Sequence, residues 1–138
     1  MPANAALSAG QLVQLASDFN ALANLDRSIL NDPNTSVPNG QAAALTGDLT
    51  SLSNIAASLA TWGAQLAFAD SDDAFAKISA ATQAANSKVN ELKSDVTKIN
   101  SVVNILGAAV TLGVAFGTGN AAGVISAAGG LASAVASA

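Results

Sequence analysis

From Ile99 to the last residue, Ala138, no side chain carries a charge. A helix without solvating charges has to be covered, by other parts of its own chain, by further copies of it, or by lipid. All five basic and nine acidic residues lie before this stretch, and charged residues amount to 10% of the chain, against about 25% in ordinary domains. The cover is therefore the first thing a fold for this chain must provide.

The residues available for packing point to helices. Half of the chain is hydrophobic, but it holds only four Phe, one Trp, one Met and no Tyr. A core built from Ala, Leu, Val and Ile needs close backbone approach, which tightly packed helices give. The periodicity agrees. Ser8 and Gln11 form a capping-box pattern, and Leu12, Leu15, Phe19 and Leu22 follow at helical spacing, predicting a helix over residues 9–30 that frays near Asp26 and Arg27. Residues 31–40 form a loop rich in Pro, Asn and Asp. Its alternating Asp32, Asn34 and Ser36 resemble a calcium loop. Val37 and Ala43 stand where Gly and Glu are needed, which argues against metal binding.

A second helix is expected over residues 41–68, with the stripe Leu45, Leu49, Leu52, Ile55, Leu59, Trp62 and Leu66. Ser71 is the expected cap of a third, with Asp72 and Asp73 favoured by the dipole of its first turn. In it Phe75, Ile78, Thr82, Ala85, Val89, Leu92, Val96, Ile99, Val103, Leu106 and Val110 recur in steps of three and four. That is a heptad seam, and it predicts one helix over 72–116, about 65 Å long at 1.5 Å per residue. Gly117 and Gly119 mark a turn, and a last helix is expected over 121–136. The expectation is an all-α chain, a single helical domain over 1–138 folded as an antiparallel bundle of about four helices. Its C-terminal hydrophobic hairpin spans 99–138.

Along the seam the flanks carry Lys77, Lys88, Glu91, Lys93, Asp95 and Lys98, and then all charge stops. Each arm of the hairpin keeps a neutral polar stripe: Ser101, Asn104, Thr111 and Thr118 on the first, Ser126, Ser133 and Ser137 on the second. Opposite lie the residues expected to meet lipid or a sister subunit: Val103, Leu106, Val110, Val114 and Phe116, then Val124, Leu131 and Val135. Gly113 and Gly117, and Gly119 and Gly123, are spaced for close helix approach.

The run from Lys93 through Asn100 into the charge-free arms and the turn Gly117-Thr118-Gly119-Asn120 resembles the α-helical pore-forming toxins of the haemolysin E and haemolysin BL type. That resemblance implies a hydrophobic head held against a helical bundle in the soluble form and inserted after rearrangement. It brings no catalytic motif.

Several functions are disfavoured. The chain has no His, Cys or Tyr, so the commonest acid–base groups, nucleophiles and zinc ligands are missing and no enzyme, cofactor or metal site is expected. A net charge of −4 disfavours nucleic acid, whose phosphates need a basic face. Residues 1–5 show neither a basic region nor a hydrophobic run, so no signal peptide is visible, and any export is expected to follow a leaderless route unless a leader has been removed. The expected partners are a lipid membrane or sister subunits, with a homo-oligomer as the active state. The alternative is a structural homo-oligomer or filament that buries the hairpin between subunits.

Overall fold

The computed structural model describes residues 6–32, 37–93 and 95–138. Five helices carry these residues, with no strand element among them: α1 (Ala9–Asn31), α2 (Asn39–Gly63), α3 (Ser71–Leu92), α4 (Ile99–Gly117) and α5 (Ala121–Ala136). The chain is all-α, as expected. The candidate calcium residues Asn34 and Ser36 fall outside the described residues.

α1 starts as its sequence dictates. Ser8 Oγ accepts from the Gln11 amide at 3.1 Å, and Gln11 Oε1 accepts from the Ser8 amide at 2.9 Å, satisfying two amides that a helix start leaves unpaired. The helix does not fray at Asp26. It runs on to Asn31, because Ile29 is buried beneath it and anchors the last turn. α2 ends at Gly63 rather than 68. Two turn bonds, from the Gln65 amide to Trp62 and from the Leu66 amide to Gly63, close it off while Leu66 and Phe68 still enter the core. The cap of α3 is Asp70, whose side chain accepts from the Asp73 amide at 3.0 Å; Ser71 is already the first helical residue.

The largest departure from expectation concerns the long helix over 72–116, which is two helices. α3 ends at Leu92, a short 3-10 turn covers Val96–Lys98, and α4 begins at Ile99. Asp95 is the local cause. Its carboxylate accepts from the Thr97 amide at 3.0 Å and from the Thr97 hydroxyl at 2.6 Å. Such local bonds offer the backbone an alternative to the helical ladder. Before the bend, Glu91 pairs with Lys88 at 3.8 Å. Burial supplies the larger reason. A straight 45-residue helix would carry the apolar stretch past the reach of α1 and α2, whereas the bend folds it back onto them.

The helices close a ring: α1 packs on α2 and α3, α2 on α4, α4 on α5, and α5 on α3. The bundle is not uniformly antiparallel. Gln11 and Asp18 of α1 bond Asp72 and Thr82 of α3, so these two run the same way. Gln41 bonds Asn100, and Ile55 and Trp62 lie against Gly113 and Gly117, so α2 and α4 do too. The ring encloses a core of Leu15, Phe19, Leu22, Leu45, Leu52, Leu59, Ile78, Ile105, Leu112 and Phe116, each under 2% exposed. Trp62 is half-buried and packs toward Gly117.

Candidate membrane or assembly surface

The bend resets the phase of the seam. In α4 the buried positions are Ile99, Val102, Ile105, Leu106, Ala109, Leu112, Gly113 and Phe116. The expected continuation through Val103 and Val110 lies to the side: both are half-buried. Of the hairpin residues singled out from the sequence, Leu106, Phe116, Val124 and Leu131 are buried in the core, while Val103, Val110 and Val135 are half-buried at its edge. Val114 is 51% exposed, on the outer face. Ile105, Leu112 and Gly113 belong to the inward stripe as well. Their spacing from Leu106 and Ala109 would have revealed it had the phase not been carried over from α3.

The turn is built as its residues require. Gly119 has φ +75, the left-handed region that L side chains avoid. Asn120 then caps α5, its Oδ1 accepting from the Gly123 amide at 3.0 Å.

The inner side of the hairpin is held by two helices. α2 holds α4 by close approach: a Cβ on Gly113 would collide with the side chain of Ile55, itself 2% exposed, and a Cβ on Gly117 would rest 3.5 Å from Trp62. The Gly113–Gly117 spacing thus serves contact with α2 rather than with α5. α3 holds α5 more loosely. Between them runs a groove of about 500 Å³ whose walls include Ala80, Ala81, Ala84, Ile125, Ala128 and Gly129.

The outer side carries no charge. On α4 it presents Asn104, Thr111 and Val114, with Thr118 just past its end; on α5 it presents Ser126, Gly130 and Ser133, all exposed. The neutral polar stripes thus face outward. α4 is also the one described helix long and apolar enough to cross a membrane, with 19 residues, a mean hydropathy of 1.8 over its most apolar window, and 44% of that window buried. No protein-family model matches the chain, and no curated protein sequence or solved structure matches it.

Away from the hairpin, α1 buries two carboxylates, Asp18 and Asp26. Asp18 is 8% exposed, with Oδ2 accepting from the Thr82 hydroxyl at 3.0 Å and Oδ1 from Gln14 at 3.3 Å. Burial raises its pKa, and these two bonds oppose the rise. Asn86 ties the same spot together, donating to the Asp18 carbonyl and to the Thr82 carbonyl, both at 3.1 Å. Asp26 is 0% exposed, and neither carboxylate oxygen receives a hydrogen bond. Burial and, second, the nearby Asp48 of α2 push its pKa up to about 7, with Arg27 opposing. Asp48 is half-buried and its pKa is raised by burial. A signal for Asp26 was present: it is the next step, four residues on, of the stripe Leu12, Leu15, Phe19 and Leu22. Among the described residues, no group of three or more acids gathers to hold a metal ion.

Proposed function

We propose that this is a membrane-active helical protein, a pore-forming protein or a component of one, that stores α4 and α5 against α2 and α3 and releases them to lipid. The observation that carries the reading is the two-sided hairpin. Its inner face is apolar and held, its outer face is neutral on both arms, and α4 has the length and hydropathy to span. Eight of the nineteen residues of α4 are buried and five are exposed, so the helix is held on one face and open on the other. Once released, Leu106, Leu112 and Phe116 would meet lipid tails. The stripe of Asn104, Thr111 and Thr118, with Ser126 and Ser133, would face water or neighbouring helices in an assembled pore. α5, rich in Ala and Gly, would insert as the partner of α4 rather than by itself. The resemblance to the haemolysin E type of toxin, a stored hydrophobic head beside a bundle, is consistent with this scheme.

Dye-loaded liposomes test it. The expected result is leakage, with single-channel steps in planar bilayers. Absence of both leakage and lipid binding across lipid composition and pH would sink the proposal.

One observation favours a second reading, a homo-oligomer joined through the outer face. That face is flat in side-chain size and free of charge, so two copies could meet without desolvating ions. Sedimentation at high concentration separates the two readings: assembly without lipid supports this one, and a monomer that associates only on membranes supports the first.

A further inference from the structure

We infer that Asp26 and Asp48 form a pH-operated lock between α1 and α2, closed when Asp26 is protonated and loosened when it is ionised, and that through α2 this lock controls release of the hairpin. The inference rests on the stored-hairpin reading above and names its regulation.

Asp26 is the anomaly. Buried carboxylates in folded chains are normally hydrogen-bonded or ion-paired, yet both of its oxygens are buried without a donor. It occupies a stripe position between Leu22 and Ile29, both buried. The groups around it do not neutralise it. Asp48 is the one charged residue of α2, and it repels a charge on Asp26. Arg27, on its own helix, acts more weakly than Asp48, and its guanidinium is bonded to the exposed Asn24 at 3.0 Å. On α3, Lys77 is taken by Asp73 at 3.1 Å and Lys88 by Glu91 at 3.8 Å, and neither they nor Lys93, the C-cap of the helix, is among the groups that shift Asp26. A proton is the simplest cation that relieves this arrangement.

The sign follows from linkage. The folded-state pKa of Asp26 is raised, from 3.8 to about 7. The stabilisation from protonation is therefore complete below about pH 4 and is lost as pH rises to about 7, with a slope of up to roughly tenfold per pH unit in the opening equilibrium. Asp48, raised in the same direction, adds to the trend. Transmission runs through α2, which is shared: Gly63 meets Leu12 of α1, and Ile55 meets Gly113 of α4. Loosening α2 from α1 removes the backing that keeps Ile55 against α4. The bundle is held shut in acid and eased at neutral pH and above.

The test uses the whole chain. Carbon-13 NMR of the side-chain carboxyls follows Asp26 directly, and hydrogen exchange, corrected for its intrinsic pH dependence, follows α4 and α5 from pH 5 to pH 8. The expected results are an Asp26 midpoint far above 4 and a protection of α4 and α5 that falls by more than tenfold over this range. Asp26→Asn, or Asp26→Leu if the amide impairs folding, is expected to flatten that fall. A midpoint near 4, or the same fall in both variants, overturns the lock. Dye-loaded liposomes at pH 5 and pH 8 keep the two ideas apart. Protection that tracks Asp26 with no leakage at either pH supports the lock and removes the membrane reading. Equal leakage at both pH values, in wild type and Asp26→Leu alike, removes the lock and leaves the membrane reading standing.

Discussion

Two glycines on α4 predict opposite outcomes for the same substitution. Gly107 and Gly113 both sit inside the helix, where Gly→Ala gains about 1 kcal/mol from backbone propensity. A Cβ on Gly107 meets nothing within 4 Å, so Gly107→Ala should keep that gain and stabilise the protein by about 0.5–1 kcal/mol. A Cβ on Gly113 would fall against three side-chain carbons of Ile55, which is 2% exposed and has no room to yield. Overpacking of this kind costs about 1–3 kcal/mol, which outweighs the propensity gain. Gly113→Ala should therefore destabilise by about 1 kcal/mol. Ile55→Ala alone should cost about 2–5 kcal/mol, and less in the Gly113→Ala background, because the new methyl fills part of the space left by Ile55. Urea denaturation with a common m-value gives all four numbers. Equal stabilisation by the two glycine substitutions, with Ile55→Ala strictly additive, would show that α4 does not rest on α2 through Gly113.

Three further outcomes follow from the same contacts. Thr82→Val removes the hydroxyl that donates to Asp18 and should cost about 1.5–3 kcal/mol, as for hydrogen bonds to charged groups; chemical denaturation at pH 7 measures it, and the Asp18 carboxyl should titrate higher still. Val110→Asp should leave the bundle folded by circular dichroism, since Val110 is half-buried, yet suppress leakage, because a charge at mid-arm costs about 2.5–3.5 kcal/mol on insertion. Leu106→Asp should instead unfold the protein, since Leu106 is 0% exposed and an unpaired charge cannot be accommodated there.

Local chemistry made much of this fold readable. The capping box at Ser8, the stripe of α1 and the turn at Gly119 follow from side chains acting within a few residues, and the bounds of α5 follow from that turn. What resisted reading was decided by competition or by distance. The apolar steps run on in residue type from Leu92 to Ile99, but the Asp95 carboxylate bonds Thr97 and ends the helix there. The stripe restarts in a new phase that buries Val102 and Ala109 in place of Val103 and Val110. Asp26 was legible as a stripe position; that its neighbour across the interface is another acid depends on how α2 returns, which no local pattern states. The hairpin's neutral stripes were visible from spacing, whereas the helices that hold its inner face, α2 and α3, emerge only from the ring.

Release of the hairpin from α2 is the central claim, and a reversible covalent lock tests it most directly. The chain has no cysteine, so Ile55→Cys with Gly113→Cys introduces a single pair. A Cβ at Gly113 lies 2.6 Å and 2.7 Å from the two branch carbons of Ile55, which places the two Cβ atoms about 3 Å apart, a few tenths of an ångström inside the ~3.5–4.5 Å span of an unstrained disulfide, so the bond closes with a small outward shift of α4. Leakage from dye-loaded liposomes is then measured before and after reduction. The account predicts no leakage from the oxidised protein and recovery on adding dithiothreitol; oxidised protein that leaks as fast as reduced would contradict it.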